Sequence, residues 1–520
     1  MRLLHVPLLV GLMVSDSLVG GPATAQVPRR PADLPRPAVE GADHHHEAPN
    51  MSPGARPVPV VRDRFGPDPS YPPEDYDPKA QYEIYGGKKA VDRVSPLLEL
   101  GHPLYQEGPL GPSYSFLGEK NLVVPQLLVY GDLRSVAAYN DGGSKEIGQV
   151  ATRLNLDVDL KLTATERFHA LFRPLDGGGE FTRYEFAGPD RNRREPERLR
   201  LSRKPSSLFF EGDLGAIAAG ISNDYMSWDL PVTVGLIPLV FQNGIWVDDA
   251  FRGGAFSIPA KNSRLLDISN FDITFFAGKG DVSSAAIKNS AGKLDRGASV
   301  LGMAVFADTL SGYLEGGYGR TLDNRDGADF SYHNATVALT RRYGGWLSNS
   351  MRLIYNWGQS GNASARTADG FVLISENSLI TSLPSTLVPY ANFFYGHDRP
   401  QSLLRDAGGL LKNIGITFES DPITNSPKLD DTANDTFGGA IGLQYLFNLD
   451  QQIVVEAATV QVLGGGSRND RSAKADQYAL GVRYQLPLSN AWIFRMDGIW
   501  GLLDAAPDVL GIRVEFRRKF

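Results

Sequence analysis

From residue 150 onward, apolar and polar side chains alternate one by one. Val150, Thr152, Leu154, Leu156, Val158, Leu160 and Leu162 fall on one side; Ala151, Arg153, Asn155, Asp157, Asp159, Lys161 and Thr163 fall on the other. A helix of 3.6 residues per turn would mix the two sets, whereas a strand separates them cleanly, so 150–163 is predicted as a strand. One face is greasy and the other, Ala151 aside, polar. The same period of two closes the chain: Ile512, Val514, Phe516 and the terminal Phe520 oppose Arg513, Glu515, Arg517 and Lys519. It recurs where Met351, Leu353, Tyr355 and Trp357 oppose Arg352 and Asn356, and where Tyr478, Leu480, Val482 and Tyr484 oppose Arg483 and Gln485. Trp492, Phe494, Met496 and Trp500 likewise oppose Arg495 and Asp497.

A strand with one wholly apolar face and one charged face suits lipid outside and water inside, as in a membrane barrel. Further strands are expected at 126–138, 168–175, 207–219, 232–242, 268–277, 299–307, 312–320, 330–340, 371–380, 387–395, 415–419, 437–449 and 453–462. About 400 residues at roughly 22 per strand with its turns give an antiparallel transmembrane β-barrel of about 18 strands, bounded by roughly 16 and 20. A barrel of that size is wide enough for an aqueous lumen. Trp346, Trp357, Trp492 and Trp500 sit near strand ends, as interfacial girdles require. Arg518 breaks the apolar face of the last strand, a position tolerable only at headgroup level. That last strand is expected to close the sheet against the first, near 122–138.

Composition narrows the chemistry. The chain of 520 residues has no cysteine, 56 glycines and a formal charge of -7. Thiolate metal sites, cysteine nucleophiles and disulfides are excluded, and no global nucleic-acid footprint is present. Mean hydropathy is slightly negative, and no apolar run after the first 15 residues approaches the roughly 20 of a membrane helix. Residues 1–25 read as a secretory signal, with an apolar run and Ala23-Thr24-Ala25 before the expected cleavage. Residues 26–112 form a Pro-rich extension, holding most of the 18 prolines between Val27 and Pro125 out of 34 in the chain. Such a segment is expected to be mostly disordered and periplasmic, either a plain linker or an arm for a periplasmic partner. Within it His44, His45 and His46 are a weak candidate for metal ligation, or simply a polar patch. Residues 95–118 are expected as an ordered lead-in or a plug, and 113–520 as the barrel domain.

Candidate functional residues are the arginines on the polar strand faces: Arg134, Arg153, Arg173, Arg352, Arg483, Arg495, Arg513 and Arg517. They define an anion path or, with Asp157, Asp159, Asp497 and Glu515 beside them, the mixed ladders of any charged channel wall. The interval 183–204 is locally basic, with Arg183, Arg191, Arg193, Arg194, Arg198, Arg200, Arg203 and Lys204. It either folds into the lumen as an anion filter or stays outside against anionic lipopolysaccharide. Residues 247–254, with Asp248 and Asp249, read as a structured turn. No nucleophile and base converge, so no enzyme and no cofactor is expected.

The signal, the arginine-studded strands, the segment 235–254 and the terminal Phe520 together resemble large single-chain outer-membrane channels, and in particular the alginate-export family of about 18-stranded barrels. The alternating end with Phe516 and Phe520 resembles the terminal assembly signal of bacterial outer-membrane barrels. The resemblance implies passive passage or export of polar or anionic solutes across a Gram-negative-type outer membrane, contact with its lipid and lipopolysaccharide, and insertion by the barrel-assembly machinery. The alternative is a structural or adhesion barrel, a sheath for a partner held by the Pro-rich arm.

Overall fold

The computed structural model describes residues 94–102, 113–177, 180–188, 197–265, 268–288, 296–325, 329–362, 365–421, 423–447, 450–464, 471 and 473–520. The signal 1–25, nearly all of 26–112 including His44, His45 and His46, and Arg191, Arg193 and Arg194 lie outside the described residues.

Alternation drives the chain into one closed antiparallel barrel of 18 wall strands. In chain order they are β1 (Gln126–Asp141), β2 (Glu146–Lys161), β3 (Arg167–Phe172), β4 (Pro205–Asp213), β5 (Pro231–Phe241) and β6 (Val247–Ser263). Then come β7 (Ile268–Val282), β8 (Ala298–Thr309), β9 (Gly312–Leu322), β10 (Tyr332–Tyr343), β11 (Leu347–Trp357) and β12 (Asp369–Leu379). The circuit ends with β13 (Leu387–Arg399), β14 (Thr436–Phe447), β15 (Gln451–Val462), β16 (Gln477–Pro487), β17 (Trp492–Leu503) and β18 (Val509–Lys519). Closure is between β18 and β1, in register from Asp132 opposite Lys519 to Asp141 opposite Leu510. Phe520 finishes the seam with two backbone hydrogen bonds to Gly131, at 2.8 and 3.0 Å. Closing the sheet leaves no edge for lipid to meet.

The greasy faces point outward. Val150, Leu353, Tyr355, Leu480, Ile512 and Phe516 are exposed, while Arg153, Arg352, Arg513 and Glu515, at positions of opposite parity, are buried inside the barrel. Trp346, Trp492 and Trp500 are exposed, at both rims. Arg518 lays its guanidinium over the Trp492 ring, 5.6 Å from the centroid, at the rim that carries the chain terminus.

Three expectations are corrected. The strand 207–219 ends at Asp213, whose carboxylate accepts from the Ala216 amide at 2.8 Å and caps the helix α1 (Leu214–Ser222). Residues 247–254 are not a turn; they open β6, paired with β5 from Val247 opposite Phe241. Residues 415–419 are not a wall strand; they hold a 3-10 turn, Ile416–Phe418, in a long inward loop, 400–435. The lead-in also resolves. Leu98–Gly101 pairs with β1 from Leu98 opposite Val129 and is largely exposed, so this segment extends the sheet and does not plug it.

The lumen is not simply open. The loop 400–435 packs Leu411, Ile414 and Phe418 against the inward faces of β11 to β16, with Ile354, Val372, Ile374 and Phe394. A second cluster sets Trp246, of the tight 242–246 loop, among Ile237, Phe251, Phe276, Leu403 and Leu404. Trp246 is fully buried and donates its indole N–H to Asn334 Oδ1 at 2.7 Å. Gly317 of β9 makes room for it: a Cβ there would stand 2.4 Å from the ring.

Candidate functional site

The inner face of β16, β17, β18, β1 and β2 is a continuous charged wall. Cross-strand register sets its pattern, since residues opposite one another share a face. Arg483 faces Asp497, and Asp497 faces Arg513. One step along, Arg495 faces Glu515; further on, Arg517 faces Arg134, and Arg134 faces Arg153. Opposite charges meet diagonally as well as directly. Asp497 accepts from Arg483 Nε at 2.6 Å and from Arg495 Nε at 2.7 Å. Glu515 takes both arms of Arg134, Nε at 2.7 Å and Nη2 at 2.8 Å, in a forked pair, and is also bonded by Arg513. Arg517 pairs with Asp132 at 2.7 Å, which accepts a further bond from Asn155 at 2.8 Å.

Loop carboxylates complete the wall. Glu419 pairs with Arg483 and lies 3.5 Å from Arg495, while Asp421 lies 2.9 Å from Arg513. Burial alone would raise the Glu419 carboxyl, but the guanidiniums of Arg483 and Arg495 outweigh it and hold the group well below the usual carboxylate range. The turn that presents these acids is pinned from β15. Glu456, 1% exposed, accepts from the amides of Ile416 and Thr417, both at 2.9 Å, from the Thr417 hydroxyl at 2.7 Å and from the Tyr390 hydroxyl. Gly415 is required there, because a Cβ would fall 2.3 Å from Glu456 Oε2.

The remaining sequence candidates divide. Arg153 pairs with Asp176 at 3.1 Å and lies 5.1 Å over the Phe181 ring. Arg173 adds a second guanidinium acting on that carboxylate, and its Nε is buried without a hydrogen-bond partner among the described residues. Arg352 stands on another wall, 1% exposed, tied to Glu376 at 2.9 Å and Gln242 at 3.1 Å. The basic interval is split. Phe181, just before it, packs inward on Val136, Ala151 and Ile423, and Arg183 pairs with Glu185 at 3.1 Å opposite the inward Ala151. Arg198 faces Arg183, the Arg200 amide bonds Thr182, and Arg203 is exposed. Phe516 faces outward beside Phe494, ring centroids 5.2 Å apart.

Glu419, Asp421, Asp176 and Glu456 are the site residues that sequence reading missed. Their signal was faint: two acids spaced by two directly after an apolar run, a pattern also typical of any strand end.

No protein-family model matches the chain, and no curated protein matches it. Solved structures do. OccK2 (OpdF) of Pseudomonas aeruginosa is 10% identical over 76% of this chain and 97% of its own, with a TM-score of 0.50. OccK11 (OpdR) of the same organism is 10% identical over 75% and 96%, at 0.49. OpdK, solved with vanillate, is 13% identical over 75% and 98%, at 0.46. At such identity the likeness to OccK2 speaks for the barrel architecture alone.

Proposed function

We propose that this chain is a passive channel of a Gram-negative-type outer membrane, carrying small polar solutes with preference for anions along the arginine wall. The observation that carries the reading is one sheet with two opposite solvents: an apolar exterior with aromatic rims, and an interior face studded with Arg134, Arg153, Arg483, Arg495, Arg513 and Arg517. Charge inside a membrane protein is costly unless it serves a water-filled path. Arg153, paired with Asp176, and Arg173, on which the same carboxylate acts, offer the natural first stop for an anion. The barrel meets lipid and lipopolysaccharide with its outer face, and Phe516 and Phe520 serve the assembly machinery.

The two apolar clusters inside the wall favour small solutes over a polysaccharide of the alginate-export kind. The sheath reading rests on the Pro-rich arm, and deletion of 26–112 tests it: partner capture disappears while flux persists. Proteoliposomes loaded with purified protein test the channel itself. Swelling in small organic anions faster than in matched cations or neutral sugars is expected; no swelling by well-folded protein contradicts it.

A further inference from the structure

The wall does not balance its charge with strand residues alone. Its six arginines are met by three strand carboxylates, and the other three partners, Asp176, Glu419 and Asp421, arrive on segments that turn inward. Glu419 and Asp421 stand two residues apart, and Glu419 has extended backbone at φ -69°, ψ 127°. Side chains two apart on extended chain project the same way with Cα atoms about 7 Å apart, so the loop offers the wall a pair of carboxylates at fixed spacing. They engage Arg483 with Arg495, and Arg513, on three successive strands.

We propose that the loop 400–435 is a tethered carboxylate ligand: Glu419 and Asp421 occupy the arginine wall at rest, and a solute bearing two carboxylates displaces them and so opens its own path. The proposal rests on the channel reading above. The exchange is physically accessible because it swaps one set of carboxylates for another, and the buried guanidiniums are never left unpaired. A lone chloride cannot bridge the same arginines in forked geometry and is a poor displacer. Space for movement lies at the contact itself, where Thr417, Glu419 and Asp421 line a small cavity with Arg483, Arg495 and Arg513.

The chain lacks cysteine, and a Cβ built on Gly481 of β16 would lie 2.8 Å from Thr417 Cγ2. The double variant Thr417→Cys/Gly481→Cys therefore allows a reversible tether between loop and wall. In proteoliposomes, oxidation should lower succinate flux at least tenfold, with reductant restoring it. In Glu419→Gln/Asp421→Asn, succinate should half-saturate transport at a severalfold lower concentration than in the parent. Succinate flux unchanged by oxidation, or an unchanged half-saturation in the neutral-loop variant, overturns the displacement. The reduced tether variant must still carry succinate, which shows that it folds; because Thr417→Cys also removes the hydroxyl bond to Glu456, oxidised flux is scored against the same protein reduced and not against the parent. If the parent passes chloride and succinate while the tether variant ignores oxidation or the neutral-loop variant half-saturates as the parent does, only the displacement fails; if the parent passes neither, the channel reading fails and takes the displacement with it.

Discussion

Replacing Glu456 by alanine should free the inward loop while leaving the barrel wall intact. In the sheet Glu456 pairs through its backbone, opposite Gly442 on one side and Gly481 on the other, so truncating the side chain touches no ladder bond. What is lost is the acceptor for two loop amides, the Thr417 hydroxyl and the Tyr390 hydroxyl. A buried donor left without its partner costs about 1–3 kcal/mol, and bonds to a charged acceptor lie at the upper end. The three loop donors are close enough to share replacement water, so their losses do not add. A weakening of loop docking by about 3 kcal/mol is the expected net, roughly a hundredfold in equilibrium. Hydrogen exchange followed by mass spectrometry reads this directly at the Ile416 and Thr417 amides, which should exchange roughly a hundredfold faster in Glu456→Ala, with amides of β15 and β16 unchanged. Glu456→Gln keeps one acceptor and should fall between. Exchange within about twofold of the parent at Ile416 and Thr417 would refute the idea that this carboxylate holds the loop.

Other consequences separate the arginines by what surrounds them. Arg483→Gln should lower anion-over-cation permeability severalfold in bilayer recordings, whereas Arg352→Ala should leave selectivity nearly unchanged. Arg352 is buried against Glu376 and Gln242, so its loss strands a carboxylate and should destabilise the protein by about 3–5 kcal/mol, read by urea unfolding in detergent. Acid should release the loop only late. The Glu419 carboxyl is held below its ordinary value of 4.5 by Arg483 and Arg495, and a depressed carboxylate contributes stability above its unfolded pKa and loses it as pH falls through the folded one. Loop protection, corrected for the intrinsic pH dependence of amide exchange, should therefore be level from about pH 8 to 5 and fall only below about 4.5. Deleting Phe520 removes two seam hydrogen bonds to Gly131 and should reduce the inserted, heat-modifiable fraction while leaving the selectivity of what does insert unchanged.

The wall was legible wherever its period of two was uninterrupted, as in β2 and β18, because one face had to satisfy lipid and the other water. The strand number emerged from chain length at roughly 22 residues per strand, while among the individual candidate strands two errors offset each other. Residues 415–419 read as a strand because Ile416 and Phe418 alternate with polar neighbours, yet Phe418 is apolar to pack in the inner cluster and Ile416 lies against Gly481 of β16. Residues 247–254 read as a turn because of Asp248, Asp249, Gly253 and Gly254, yet the aspartates sit at the loop end of β6, clear of hydrocarbon. Asp248 there reaches Lys412, and Asp249 accepts from the Ser283 amide at 2.6 Å. The arginines could be named from alternation alone. Their partners could not, because pairing depends on closure and on an inward loop: Glu515 is 381 residues from Arg134, and Glu419 is 64 from Arg483. Nothing local in the sequence encodes such a contact.

The central claim is that the arginine wall conducts anions across a membrane, and a reversal potential tests it most directly. Purified protein in a planar bilayer under a potassium chloride gradient should give a potential on the chloride side of zero, shifting toward the potassium side in Arg483→Gln. A reversal potential on the potassium side for the parent, or one indifferent to Arg483, would contradict the account.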